Sequence, residues 1–156
     1  MFYQEKKIIA TMISGVLILV AYFIYIFQKY QEGAIDLEYD LKFWASTMLI
    51  FIVVGIVSTI LILIIFNILN AVVNEVKQEE QEVSIDEDEM DRLIALKATR
   101  NSYLVVGVGF LISMVTLVLQ MPPAVMLNII YLAFHLGMLV EGFSQLYFYR
   151  RGVRNV

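Results

Sequence analysis

An all-α fold is predicted: a bundle of four transmembrane helices in two hairpins, with an amphipathic cytoplasmic helix between helices 2 and 3. Three observations carry this expectation. The 156-residue chain is 60% hydrophobic and 17% charged, with a mean hydropathy of +0.78, whereas soluble domains are about 45–50% apolar and about 25% charged. Four long stretches are almost free of charge. None shows the period-two alternation of a β-barrel, and a backbone in lipid must bond internally, so each stretch forms a helix.

The first stretch, 8–27, runs twenty residues without a charge. About 20 residues at 1.5 Å rise cross a hydrocarbon core of roughly 30 Å. Lys6 and Lys7 precede it, as in a signal peptide. A signal-peptide core is only about 7–15 residues, and bulky Tyr22, Phe23, Tyr25, Phe27 and Tyr30 stand where small cleavage-site residues are needed. The segment reads as an uncleaved helix.

An outer loop, 28–42, joins it to helix 2. There Asp36, Glu38 and Asp40 alternate with Ile35, Leu37, Tyr39 and Leu41. In an extended backbone the three carboxylates share one side and attract a cation or basic peptide. Alternatively, Asp40 caps helix 2. Helix 2 covers 43–70, helix 3 covers 103–121 and helix 4 covers 124–149. The turn at Pro122 and Pro123 ends one helix and begins the next. One integral membrane domain accounts for 1–156.

Between helices 2 and 3 lies the cytoplasmic segment 71–102. Leu69, Val72, Val73 and Val76 continue helix 2 at helical spacing. A break follows at Val83, and Ser84 with Glu87 matches a capping box. Met90, Leu93, Ile94 and Lys97 share one face of the amphipathic helix that follows. It lies along the inner interface or beneath the bundle. The acidic run 86–89 lacks the ligand spacing and central glycine of a calcium loop and reads as a solvated helix start.

Basic residues set the orientation. Lys6, Lys7, Lys77, Arg92, Lys97, Arg100, Arg150, Arg151 and Arg154 fall on one side, and only Lys29 and Lys42 on the other. Cytoplasmic loops carry the Lys/Arg excess, so both termini are expected in the cytoplasm of a multi-pass plasma-membrane protein. Tyr30 and Trp44 suit the outer interface; Tyr103, Tyr147 and Tyr149 suit the inner one.

Polar groups within a span are functional candidates because burying them is costly. Helix 4 alone carries a charged one. Asn128, Tyr131, His135, Met138, Gly142, Gln145 and Tyr149 recur three and four apart and form a stripe facing the interior, with Glu141 on its flank. Glu141 has two readings: an ion pair with Arg92, Lys97 or Arg100, or a proton carrier made by desolvation. His135 reads as an interhelical hydrogen-bond partner, or as one axial ligand of a haem shared across a dimer. Thr11/Gly15, Gly55/Thr59 and Gly109/Ser113 are small pairs that let helices approach, within one chain or in a homodimer.

Much chemistry is excluded. With no cysteine and one histidine, there is no disulfide framework, thiolate zinc site or Cys nucleophile. Hydrolase, zincin and P-loop motifs are absent, every Asp lies in a polar loop, and a net charge of -4 argues against nucleic acid. No enzyme activity, metal or cofactor is expected.

The run Asp86-Glu87-Asp88-Glu89-Met90-Asp91-Arg92-Leu93-Ile94-Ala95-Leu96-Lys97-Ala98-Thr99-Arg100-Asn101-Ser102-Tyr103 resembles a D-E-x-D-R-x-I-x-x-K-A-x-R-x-x-Y pattern of small prokaryotic four-helix membrane proteins of unknown function. The ending Tyr147-Phe148-Tyr149-Arg150-Arg151-Gly152 also resembles theirs. The resemblance implies a cytoplasmic-membrane protein with its motif at the inner face. It implies no activity. Such proteins often accompany small helix-turn-helix regulators, which points to a sensing or immunity unit.

Two functions follow as expectations. The first is a non-enzymatic accessory, sensing or immunity component whose motif helix docks a membrane or cytoplasmic protein through Asp88, Asp91, Arg92, Lys97 and Arg100. The second is a small homo-oligomeric proton-coupled transporter or exporter using Glu141, with His135, Tyr131, Asn128 and Gln145 as intramembrane polar candidates. Small multidrug exporters resemble this chain only in size and helix count, since their essential Glu lies in helix 1.

Overall fold

The computed structural model describes residues 3–33, 40–77 and 89–151, with backbone alone at 3, 70 and 73–77. Among these residues the protein is all-helical: α1 (Tyr3–Gln31), α2 (Leu41–Lys77), α3 (Glu89–Val118) and α4 (Pro123–Arg151). All four are long and apolar enough to cross a membrane. Each outruns its expected span at one or both ends, because capping and packing extend a helix beyond its uncharged stretch.

The helix ends follow from local chemistry. Gly33 closes α1 at φ 65° and donates to the Tyr30 carbonyl at 3.1 Å, a left-handed position that favours glycine. Asp40 caps α2: its Oδ1 accepts from the Phe43 amide at 3.2 Å. At the end of α3, Gln120 takes φ 57°. Its amide donates to Leu117 and that of Met121 to Thr116, both at 3.0 Å. These paired bonds satisfy carbonyls that the helix leaves free. Pro122 follows and Pro123 opens α4, where a missing N–H costs nothing.

The segment between α2 and α3 departs from expectation. No separate amphipathic helix lies there among the described residues. α2 continues to Lys77, and Glu89 opens an α3 that runs unbroken to Val118. The reason is a single buried stripe: Ile94, Ala98, Ser102, Gly109, Ser113 and Thr116, so the motif turns pack on α4 in the same register as the span. Of the expected apolar face, Ile94 is buried, Lys97 is half-buried, and Met90 and Leu93 are exposed. Ser84, Glu87 and Asp88 lie outside the described residues.

α4 is the hub. It packs most extensively against α3 and also meets α1 and α2, while the α3 backbone approaches only α4. Small residues make this possible. A Cβ on Gly109 would overlap that of Ala133, and one on Gly137 would lie 2.7 Å from Val106 Cγ2. Asn101 Nδ2 donates to Ser144 Oγ at 3.1 Å across the same interface. α1 and α2 form the other hairpin, and α1 lies against α4.

The main buried cluster sits at the Pro122 end: Tyr22, Trp44, Met48, Ala124 and Tyr131. Trp44 is therefore not an interfacial anchor; it is 3% exposed. Its place at the start of α2 puts it at the junction with α1 and α4, where aromatic rings fill the space. Tyr22 stacks obliquely on Tyr131 with centroids 4.5 Å apart.

Candidate functional site

Three polar places occur along α4, and the helical stripe distributes them by depth. The first lies at the Asp91 end, where the first turns of α1 and α3 meet the last turns of α4. A cleft of about 370 Å³ opens there, lined by Gln4, Lys7, Thr11, Asp91, Glu141, Gln145 and Tyr149 together with apolar side chains. Asp91 is held on both oxygens: Tyr149 Oη donates to Oδ1 at 2.7 Å, and Gln4 Nε2 reaches Oδ2 at 3.5 Å. Glu141 accepts from Thr99 Oγ1 through Oε1 at 2.8 Å. Beside the cleft, Arg150 Nε pairs with the buried Glu5 at 3.5 Å.

The expected ion pair of Glu141 with Arg92, Lys97 or Arg100 is not formed among the described residues; Thr99 takes that place. Helical geometry explains it. Asp91, Ile94, Ala98 and Ser102, three and four apart, turn toward α4 and the cleft. Arg92 and Arg100 fall on other sides and are exposed, while Lys97 is half-buried. The motif thus divides into a buried half and an exposed half.

The second place is at the Pro122 end. Tyr22 Oη donates to Asn128 Oδ1 at 2.7 Å, and Asn128 Nδ2 returns to the Ala124 carbonyl at 2.8 Å. Asn128 thereby locks α1 to α4. Tyr131 Oη and Trp44 Nε1 are buried close by without a protein partner. Buried polar atoms of this kind are usually met by an ordered water.

His135 is the third. Its Nδ1 lies 3.0 Å from the Tyr131 carbonyl. A carbonyl only accepts, so Nδ1 carries the proton, and in the neutral ring Nε2 is left as acceptor. The ring lines a mostly apolar groove between α1, α2 and α4, with Gly15, Gly55 and Thr59. No group of three or more His, Asp or Glu suited to a metal occurs among the described residues.

Tyr131 and His135 are neighbours, with ring centroids 4.4 Å apart, while Glu141 faces the cleft at the Asp91 end; Met138 lines both that cleft and the His135 groove. Gln145 joins Glu141 at the cleft; Asn128 joins Tyr22. The sequence reading missed Gln4 and Lys7 as cleft residues, Thr99 as the partner of Glu141, and Tyr149 as the partner of Asp91. The first turn of α1 carried a signal only as basic charge, and Tyr149 as the last member of the helix-4 stripe and as an interfacial aromatic, neither of which points to Asp91. No family model, curated protein or solved structure matches the chain.

Proposed function

We propose that the protein is a non-enzymatic accessory or sensing component of a prokaryotic plasma membrane, acting through a protein partner that docks on the exposed half of the α3 motif. One observation carries this reading. The α3 backbone approaches only α4, so its first turns present Arg92, Leu93, Leu96, Arg100 and Tyr103 outward, with Leu96 60% and Tyr103 73% exposed. Mixed apolar and arginine surface of this kind is typical of interface anchors. The excess of basic residues at the Asp91 end supports a cytoplasmic location for that face and for both termini. The resemblance of the motif to small membrane proteins found beside regulators supports a sensing or immunity role.

The test is purification of the full chain from native membranes in mild detergent, with mass spectrometry of what accompanies it. A stoichiometric protein retained by the wild type and lost with Arg92→Glu plus Arg100→Glu is expected. Retention of the same protein by the double variant overturns the reading.

A second reading rests on Glu141, which is half-buried and faces the cleft: a small homo-oligomeric transporter or exporter in which this carboxyl carries the proton. Reconstituted vesicles test it. Proton-coupled flux abolished by Glu141→Gln is expected, and unchanged flux removes the option.

A further inference from the structure

The cleft at the Asp91 end has a pattern of used and unused groups that specifies a ligand chemistry. Asp91 spends both oxygens on Tyr149 and Gln4 and so acts as wall. Glu141 engages Oε1 with Thr99 and leaves Oε2 for something else. The Lys7 ammonium has no carboxylate within 4.0 Å among the described residues, and the Gln145 amide makes no hydrogen bond among them. These three half-buried groups, of both charge signs, line one cavity.

We propose that this cleft binds an aminophosphate, an ammonium and a phosphate on one ligand, supplied as the headgroup of a phospholipid. A purely anionic ligand pairs with Lys7 but meets the two carboxylates of Asp91 and Glu141. A purely cationic one leaves Lys7 unpaired. The zwitterion satisfies both: its phosphate lies against Lys7, and its ammonium donates to Glu141 Oε2 and the Gln145 carbonyl oxygen. Charge-assisted bonds of this type are the strong ones.

Two features make a lipid the source. The helices forming the cleft are 29 or 30 residues long, while about 20 cross the hydrocarbon. Their outer turns therefore stand at headgroup depth. And the α1 and α3 backbones do not approach each other; at the cleft the gap between them is spanned by the 3.5 Å contact of Gln4 with Asp91. Ile8, Met12, Ile94 and Met138 line the cleft and continue toward the acyl region.

The test measures lipid retained by the detergent-purified full chain, by native mass spectrometry, after titration with phosphatidylethanolamine or phosphatidylglycerol of matched acyl chains. Wild type is expected to hold phosphatidylethanolamine about tenfold better. Glu141→Gln should remove that preference without weakening phosphatidylglycerol. Lys7→Gln should weaken both, and Lys42→Gln, exposed at the opposite end of the bundle, should change neither. Gln145→Leu serves as a second cleft variant if Glu141→Gln does not fold. Equal retention of the two lipids by wild type overturns the proposal, as does a preference that survives both cleft variants. Soluble phosphoethanolamine distinguishes the source: failure to displace the lipid at millimolar concentration supports the headgroup, and displacement at equal concentration overturns it in favour of a free aminophosphate. The readout is bound lipid, so it is independent of whether a protein partner co-purifies.

Discussion

Two glycines on α3, Gly107 and Gly109, differ in what a side chain would meet, and the difference measures how closely α3 and α4 pack. A Cβ at Gly107 finds nothing within 4 Å. One at Gly109 would overlap the Cβ of Ala133, where carbon atoms normally rest about 3.5–4.0 Å apart. Ala133 has no side-chain torsion by which to move aside, so the two helices must separate. Overpacking of this kind costs about 1–3 kcal/mol. Replacing glycine by alanine also returns up to about 1 kcal/mol of helix propensity, but it does so equally at both positions. The comparison of Gly109→Ala with Gly107→Ala therefore isolates the steric cost. At about 2–4 °C per kcal/mol for a chain of this size, Gly109→Ala should melt about 2–12 °C below Gly107→Ala. The assay is thermal loss of the monodisperse species in detergent, with both variants in the same lipid and detergent mixture. Equal melting temperatures refute the close approach of α3 to α4 at Ala133.

Other consequences are equally open to measurement. Tyr22→Phe leaves Asn128 Oδ1 without its 2.7 Å donor, and a loss of about 0.5–2 kcal/mol is expected in the same melting assay. Asp40→Ala removes the α2 cap; hydrogen exchange should rise at residues 41–44 and stability should fall by about 0.5–2 kcal/mol. Tyr149→Phe removes the shorter of the two bonds to Asp91, so an ensuing Gln4→Ala should cost more in that background than in the wild type, as a double-mutant cycle will report. The chain has no cysteine, so single cysteines report orientation cleanly. With the Asp91 end in the cytoplasm, an impermeant maleimide on intact cells should label Gln31→Cys and spare Arg92→Cys until lysis.

The spans were legible in the sequence because lipid imposes one rule, uncharged length, that nothing else in a chain of this size imitates. The Asp40 cap was legible for a similar reason: the residue type and its position before an apolar run suffice. The motif was harder. Its apolar residues Met90, Leu93 and Ile94 suggested a separate interfacial helix, but periodicity cannot distinguish such a helix from the first turns of one continuous with the span. The small residues Ala98 and Ser102 decided the matter, and small residues carry almost no hydropathy signal. The cleft was the least legible part. Lys7 and Glu141 are 134 residues apart in the chain, and nothing local says that α1 lies on the Gln145 side of α4. The partners of Asp91 and Glu141 were hidden likewise, because a tyrosine at a span end and a threonine three turns into a helix each have common reasons to be there.

The burial order of the helices follows from the same physics that concealed the cleft. In its most apolar 18-residue window α2 is 0% buried, α1 11%, α3 17% and α4 22%, the reverse of their ranking by apolarity. A soluble protein sorts the other way, with its most apolar helix inside. Here the surroundings are as apolar as leucine, so burying α2 gains nothing over leaving it in lipid. Placing Asn128, Glu141 or Gln145 in lipid, by contrast, leaves donors and acceptors unmet. α4 is central because it alone carries that stripe and needs neighbours on several sides. α1 answers it with Tyr22 and with the cleft-lining Lys7, and α3 answers it with Thr99 and Asn101. α2, with no charge between Phe43 and Asn70, is left at the periphery. The polar side chains thus set which helices touch, and the small residues set how closely.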